Sequence, residues 1–278
     1  MPLDHQLTGG TVTIPDISGL IIFTDLDGTL LDHQTYAYTE ALPALARLRE
    51  LQIPLVLASS KTAAEIIPLR RELGFAHCPA IVENGSGILE GDENATQSGD
   101  MYQSIRETLD ALPPALRSQY QGFSDWSVEE VSRRTGLSLE QAALAKQRRF
   151  SEPGLWLGTD NSREEFVAML TKKGLSVLQG GRFMTLSFGA NKAQRMIEIA
   201  RRHALETGHR AFTVALGDAG NDVAMIEQAD LGVIIPNPGH AGIPRLARED
   251  SGHIIRAAQP GPRGWNETIM SLVHTAAK

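Results

Sequence analysis

At 278 residues the chain exceeds the common domain size of roughly 100–200 residues, so one large or two modest domains are expected. Hydrophobic residues make up 42%, enough for a sizeable core, and a net charge of −7 argues against nucleic acid or an anionic membrane surface as the main partner. The single cysteine, Cys78, excludes an intrachain disulfide framework and favours a cytoplasmic setting, with the thiol itself expected as a small buried hydrophobe.

Residues 1–18 carry no basic segment followed by an apolar one, and no run approaches the roughly 18 apolar residues of a membrane span, so the chain is expected to be soluble and unsecreted, with a loose N-terminal extension. Leu20–Thr24 is a short continuous apolar run, which suits a strand buried on both faces. Thr39 is placed to cap a helix to about Leu51, with Leu42, Leu45, Leu48 and Leu51 on one side and Pro43 in its first turn. Pro54–Ala58 predicts a second strand. Thr62-Ala63-Ala64-Glu65 is a capping-box pattern opening a helix that Gly74 stops, and Pro79–Glu83 predicts a third strand. Strands alternating with helices imply parallel pairing, with helices on both sheet faces.

The pattern then changes. Glu90–Gly99 is polar and turn-rich, and its Asn94-Ala95-Thr96 sequon is expected to be no more than an exposed loop. Helices are predicted near 103–111, 127–135 and 138–148, a strand over Leu155–Gly158, and a helix from Ser162 to about Lys173. Strands over Leu175–Leu178 and Phe183–Ser187 would join through Gly180-Gly181. A helix from Lys192 to about Leu205 resumes the α/β pattern. A strand over Thr213–Leu216 runs into Gly217-Asp218-Ala219-Gly220-Asn221-Asp222, where Asn221 is placed to cap a helix. Leu231–Ile235 predicts a strand, and a loop over Pro260–Gly264 precedes a helix over Trp265–Thr275.

Ligands of open parallel sheets bind beyond the carboxyl ends of the strands. Here those ends carry Asp25 and Asp27, then Ser59-Ser60-Lys61, then Glu83-Asn84-Gly85, then Asp218 and Asp222, while Lys192 opens a helix. Taken singly, a DxD or a Gly-Asp after a strand is usually a solvated turn; their joint placement is what points to a site. If extension holds through Asp27, residues i and i+2 face one way, and two carboxylates side by side need a cation or a shared proton. Such a set suits phosphoryl transfer, which demands charge neutralisation and in-line placement. Asp25 and Asp218 would offer hard oxygen ligands to Mg2+, Lys192 a fixed positive charge, Ser59 a hydrogen bond, and Asp27 a group cycling between acid and base. The eight histidines show no metal-ligand spacing. Trp126, Trp156 and Trp265 fit core or hinge packing better than sugar platforms.

Asp25-Leu26-Asp27-Gly28-Thr29, Ser59, Lys192 and Gly217-Asp218 with Asn221-Asp222 resemble, in order and strand-end context over nearly the whole chain, the motifs of haloacid dehalogenase-type phosphatases. The resemblance implies a Rossmann-like α/β parallel-sheet core over 1–88 and 189–278, with an inserted α+β cap over 89–188. It implies Asp25 as a nucleophile forming an aspartyl-phosphate and Asp27 as the acid and base. Mg2+ would sit on Asp25, the backbone carbonyl of Asp27 and Asp218, with Asp222 as a supporting carboxylate. Ser59 and Lys192 would bind the phosphoryl group; Ser59 is preferred to Ser60 because the hydroxyl comes first in that triplet of similar proteins.

A narrower resemblance is to mannosyl-3-phosphoglycerate phosphatases. It rests on Ser59-Ser60-Lys61-Thr62, Glu83-Asn84-Gly85, Thr135-Gly136-Leu137-Ser138, Arg148-Arg149-Phe150-Ser151-Glu152, Gly180-Gly181-Arg182-Phe183, Gly189-Ala190-Asn191-Lys192 and Gly261-Pro262-Arg263-Gly264-Trp265. It implies a small phosphorylated sugar–glycerate substrate whose carboxylate needs a cation, for which arginine's planar fork is suited. Arg182 is the first candidate and Arg148 the second; the bland alternative for Arg148 and Arg149 is a solvated helix end. Ser60, Lys61, Asn84 and Asn221 complete the expected substrate-binding set, although Lys61 suits a surface helix start equally well. Mannose and glucose are not distinguished, nor are monomer and homodimer. Another sugar phosphatase, a phosphomutase, and a silent binding or regulatory protein on the same fold remain alternatives; binding alone, however, would not require both Asp25 and Asp27.

Overall fold

The computed structural model describes residues 17–92, 100–179, 182–189, 191–239 and 241–276. The expectations for residues 1–16, the Asn94-Ala95-Thr96 sequon, Gly180-Gly181 and Ala190 lie outside them. β1 (Leu20–Thr24) is buried at every position. Leu20 and Ile22 join one apolar cluster, whereas Ile21 and Phe23 join another on the opposite sheet face. That two-sided burial is why the strand reads as a continuous apolar run.

A 3-10 turn over Thr39–Ala41 leads into α1 (Leu42–Glu50). Thr39 does not cap this helix: the N-cap is Ala41, without a side-chain cap bond, and Pro43 presets the first turn. Its buried face is Ala44, Leu45 and Leu48, with Leu42 exposed. β2 (Leu55–Ala58) follows. α2 (Ala63–Glu72) opens on the expected Thr62–Glu65 capping box, and Gly74 takes a φ of +81° just beyond it. β3 (Ala80–Val82) turns through Glu83–Gly85 into β4 (Gly87–Leu89), an unanticipated antiparallel return too short to show a period.

A second layer follows: α3 (Asp100–Asp110), α4 (Pro114–Arg117), β5 (Tyr120–Gly122), α5 (Val128–Thr135), α6 (Leu139–Ala145), β6 (Ser151–Trp156), α7 (Asp160–Lys172), β7 (Ser176–Gln179) and β8 (Met184–Ser187). The strands form an antiparallel sheet in the order β5-β6-β8-β7. The strand expected over Leu155–Gly158 begins earlier, at Ser151. Its Ser-Glu-Pro-Gly start has poor strand propensity, and pairing of Ser151 through Gly154 with β8 overrides that preference. α7 starts at Asp160 because Thr159, not Ser162, is its cap.

The core resumes with α8 (Lys192–Thr207), capped by Asn191, then β9 (Phe212–Gly217), α9 (Val223–Gln228), β10 (Leu231–Ile234), β11 (Ile254–Arg256) and α10 (Gly261–Ala276). Asp222 rather than Asn221 occupies the N-cap of α9, with no side-chain cap bond. β11 was not anticipated. α10 begins at Gly261 rather than Trp265, Pro262 falling in its tolerant first turn. The core sheet runs β11-β10-β9-β1-β2-β3-β4, parallel except for β4. The strand order reverses beside β1, which pairs with β2 on one side and β9 on the other, and such a switch point opens a crevice at the carboxyl ends. Among the described residues no helix is long and apolar enough to cross a membrane.

Trp265, fully buried on α10, donates from Nε1 to Thr24 Oγ1 at 3.0 Å, and Thr24 Oγ1 donates to the Asp25 carbonyl at 2.7 Å. The last helix thus fastens the end of β1. Trp265→Phe should lower unfolding free energy by about 2–4 kcal/mol, from the lost hydrogen bond and unfilled volume. Urea unfolding should show a lower midpoint at unchanged slope.

Candidate active site

β1 ends at Thr24, and the chain turns at Leu26 rather than staying extended through Asp27. The alternation that would aim both carboxylates one way therefore ends at the turn, and the two take different partners. Asp25 enters a buried cluster. Lys192, 1% exposed, donates from Nζ to Asp25 Oδ1 at 2.5 Å and to Asp222 Oδ1 at 2.7 Å. Asp222 Oδ2 accepts the backbone N–H groups of Asp218 at 3.3 Å and Ala219 at 3.1 Å, closing the turn after β9. Asp218 is held by Thr29 Oγ1 at 2.9 Å and Asn237 Nδ2 at 2.6 Å.

One ligand atom each from Asp25, Asp218 and Asp222 lies within 4.8 Å of the others. Three carboxylates converge on a single ammonium, a surplus of acidic groups that suits a cation, and the donors are hard oxygens without thiolate or imidazole. The set fits Mg2+. Burial, then repulsion from Asp222 and Asp218, pushes the Asp25 carboxyl well above its ordinary range, with Lys192 offsetting part of the effect. Burial alone would lower Lys192, but the charges and hydrogen bonds of Asp222 and Asp25 outweigh it and hold the ammonium protonated.

Asp27 turns instead to Lys61, whose Nζ donates to Oδ2 at 2.7 Å and lies 5.2 Å from the centre of the Tyr36 ring. Burial pulls Lys61 down, while Asp27 more than restores it. Asp27 Oδ1 is buried without a hydrogen-bond partner. The Asp27 carboxylate is not one of the three clustered acids. Ser59 is buried after β2, its Oγ accepting the Lys61 N–H at 3.3 Å. Ser60 is exposed, and its carbonyl accepts Arg148 Nη1 at 3.2 Å. Asn84, at a φ of +59°, donates its N–H to the Ser59 carbonyl at 2.9 Å and accepts Asn221 Nδ2 at 3.1 Å.

Contacts thus join Asp25, Lys192, Asp218 and Asp222 in one group and Asp27, Ser59, Ser60, Lys61, Asn84, Asn221 and Arg148 in a second, which meets the first where Asn221 precedes Asp222; neither group includes Arg182. Its exposed fork donates to the carbonyls of Arg134 and Thr135, at 3.0 and 3.1 Å, at the end of α5. Sequence reasoning named Thr29 and Glu83 within motifs without giving either a role, and it missed Asn237. Asn237 follows β10, and the strand-end rule applied to that strand would have found it. A cavity of about 370 Å3 adjoins the cluster through Gly28 and Asn237 and extends to Arg263.

The family model of haloacid dehalogenase-like hydrolases matches residues 22–117. The glucosyl-3-phosphoglycerate/mannosyl-3-phosphoglycerate phosphatase of Persephonella marina is 32% identical over 270 residues, covering 92% of this chain and 97% of that protein. Among solved structures, a haloacid dehalogenase-like hydrolase from Bacteroides thetaiotaomicron aligns with a TM-score of 0.60 at 18% identity, covering 91% of this chain and 98% of the other. The sucrose-phosphatase of Synechocystis, solved with sucrose and phosphate, aligns with a TM-score of 0.56 at 14% identity over 92% and 98%. At these identities the two structures show a shared fold.

Gly28 takes a φ of +87°, and a Cβ there would lie 2.2 Å from Asn237 Nδ2 and 2.7 Å from Asp218 Oδ2. Gly28→Ala should cost about 1–3 kcal/mol in backbone strain and push Asn237 off Asp218. A folded variant with a lower melting temperature and turnover reduced at least about tenfold is the expected outcome, measured by thermal unfolding and phosphate release.

Proposed function

This chain belongs to the haloacid dehalogenase-like hydrolases and is a phosphoric monoester hydrolase, and on that premise we propose that it is a Mg2+-dependent phosphatase converting mannosyl-3-phosphoglycerate to mannosylglycerate and phosphate. The observation that carries the substrate is the 32% identical relative, matched along 97% of its length, whose name gives the glucosyl and mannosyl esters. The same name favours glucosyl-3-phosphoglycerate as the second substrate. Residues 1–88 and 189–278 would be the catalytic core and 89–188 the cap. The product would serve as a compatible solute in the cytoplasm.

The chemistry follows from the separation of the two aspartates. Asp25 attacks phosphorus in line, the ester P–O bond breaks, and an aspartyl-phosphate forms. Lys192 orients Asp25 and, with Ser59, binds phosphoryl oxygens as charge builds. Lys61 occupies Asp27 Oδ2, which leaves the unpartnered Oδ1 to give its proton to the departing alcohol oxygen. Asp27 then takes a proton from water, which attacks the aspartyl-phosphate and frees phosphate and Asp25. Mg2+, held by Asp25, the Asp27 carbonyl and Asp218 with Asp222 in support, would neutralise phosphoryl charge. Ser60, Lys61, Asn84 and Asn221 would line the substrate. For its carboxylate, Arg182 and Arg148 are the candidates, and contact with the Ser60 carbonyl favours Arg148.

A phosphate-release screen of mannosyl- and glucosyl-3-phosphoglycerate against common hexose phosphates tests the substrate. The glycosyl phosphoglycerates should lead by at least about tenfold in kcat/KM. EDTA should stop turnover and Mg2+ restore it. A hexose phosphate leading the panel removes the substrate assignment, and full activity in chelator removes the metal. Asp25→Asn should fold and lose phosphate release by at least about a thousandfold; near-normal release would remove Asp25 as the nucleophile.

A further inference from the structure

Glu83 is fully buried at the carboxyl end of β3, and neither the cluster nor the proton chemistry uses it. Glu83 and Asn84 both sit at positive φ, +51° and +59°. Asparagine tolerates this conformation, but it is uncommon for glutamate. Four donors surround the carboxylate. Oε1 accepts the Arg149 N–H at 2.9 Å, and Oε2 accepts the Phe150 N–H at 3.2 Å and Ser151 Oγ at 2.7 Å. Arg148 Nε lies 3.3 Å from Oε2, a charge contact whose geometry is not that of a hydrogen bond.

The same turn braces the phosphate side. Glu83 N–H donates to the Lys61 carbonyl at 3.0 Å and Asn84 N–H to the Ser59 carbonyl at 2.9 Å. Gly85 abuts the start of α8, since a Cβ there would lie 2.2 Å from the Asn191 carbonyl carbon. Arg148, its side chain 6% exposed, spends its fork on the Ser60 carbonyl at 3.2 Å and Ser151 Oγ at 2.8 Å. One buried side chain therefore sets where the segment 148–151 meets the loop 59–61.

We propose that Glu83 is a positioning residue, which acts through Arg148 to hold a cation at the rim of the phosphate-binding loop, where it draws in the anionic groups of the substrate. The inference rests on the phosphatase reading of that loop. Because every partner of the carboxylate is a donor, the residue must be acceptor-only; a glutamine would aim its NH2 at one of them in either orientation. The segment would then shift and take Arg148 off Ser60.

A double-mutant cycle of Glu83→Gln and Arg148→Met tests this, with KM and kcat measured for p-nitrophenyl phosphate and for both glycosyl phosphoglycerates. Glu83→Gln should raise KM about tenfold in the wild-type background, with kcat changed less than about threefold. It should alter KM less than about twofold once Arg148 is Met. An unchanged KM, or the same factor in both backgrounds, overturns the proposal, because an effect on KM that does not pass through Arg148 is additive with its removal. If Glu83→Gln does not fold, Ser151→Ala replaces it under the same criterion. Turnover of p-nitrophenyl phosphate without either glycosyl ester would sink the substrate assignment alone, and the cycle run on p-nitrophenyl phosphate would still decide the role of Glu83.

Discussion

The contact on which the site depends is Lys192 bridging Asp25 and Asp222 inside the core. Neither the ammonium nor the carboxylates would tolerate this burial alone, and removing one member of such a set strands the others. The bridge joins three segments far apart in sequence: the end of β1, the turn after β9 and the first residue of α8. It constrains the sheet as well, because β1 and β9 must be neighbours for Asp25 and Asp222 to share one lysine.

Much of the core was legible because its strands are buried on both faces. Leu20–Thr24 needs no partner to look like a strand, and the Thr62–Glu65 capping box marks its helix at a single residue. The Asp25-to-Thr29, Ser59 and Asp218 motifs were legible for a related reason, since each lies where a buried strand stops, and Lys192 because it opens a helix. What escaped was decided by tertiary contact. β4 and β11 are three residues long, too short to carry a period. β6 begins in Ser-Glu-Pro-Gly, residues that form a strand because β8 pairs with them.

The divergence of Asp25 and Asp27 shows the limit of spacing arguments at the site itself. Two residues apart on a strand they would have shared a face, but the turn at Leu26 sends one to Lys192 and the other to Lys61. The role of Glu83 escaped for the opposite reason. Its partners are backbone amides, a hydroxyl and an arginine some 65 residues on, none of which makes a pattern around residue 83. Arg182 was favoured by its neighbouring glycines, yet its fork rests on the carbonyls ending α5.

The pairing of β1 with β9 also governs the order in which the molecule can assemble during synthesis. Ile21 pairs with Thr213, about 190 residues later, so β1 leaves the ribosome long before that neighbour exists. At about 5–20 residues per second the gap lasts roughly 10–40 s. The sheet β5-β6-β8-β7 closes entirely within that interval, from contacts of shorter range. The nascent chain therefore carries a finished upper layer on an unfinished floor, with one edge of β1 unpaired and open to aggregation until β9 arrives.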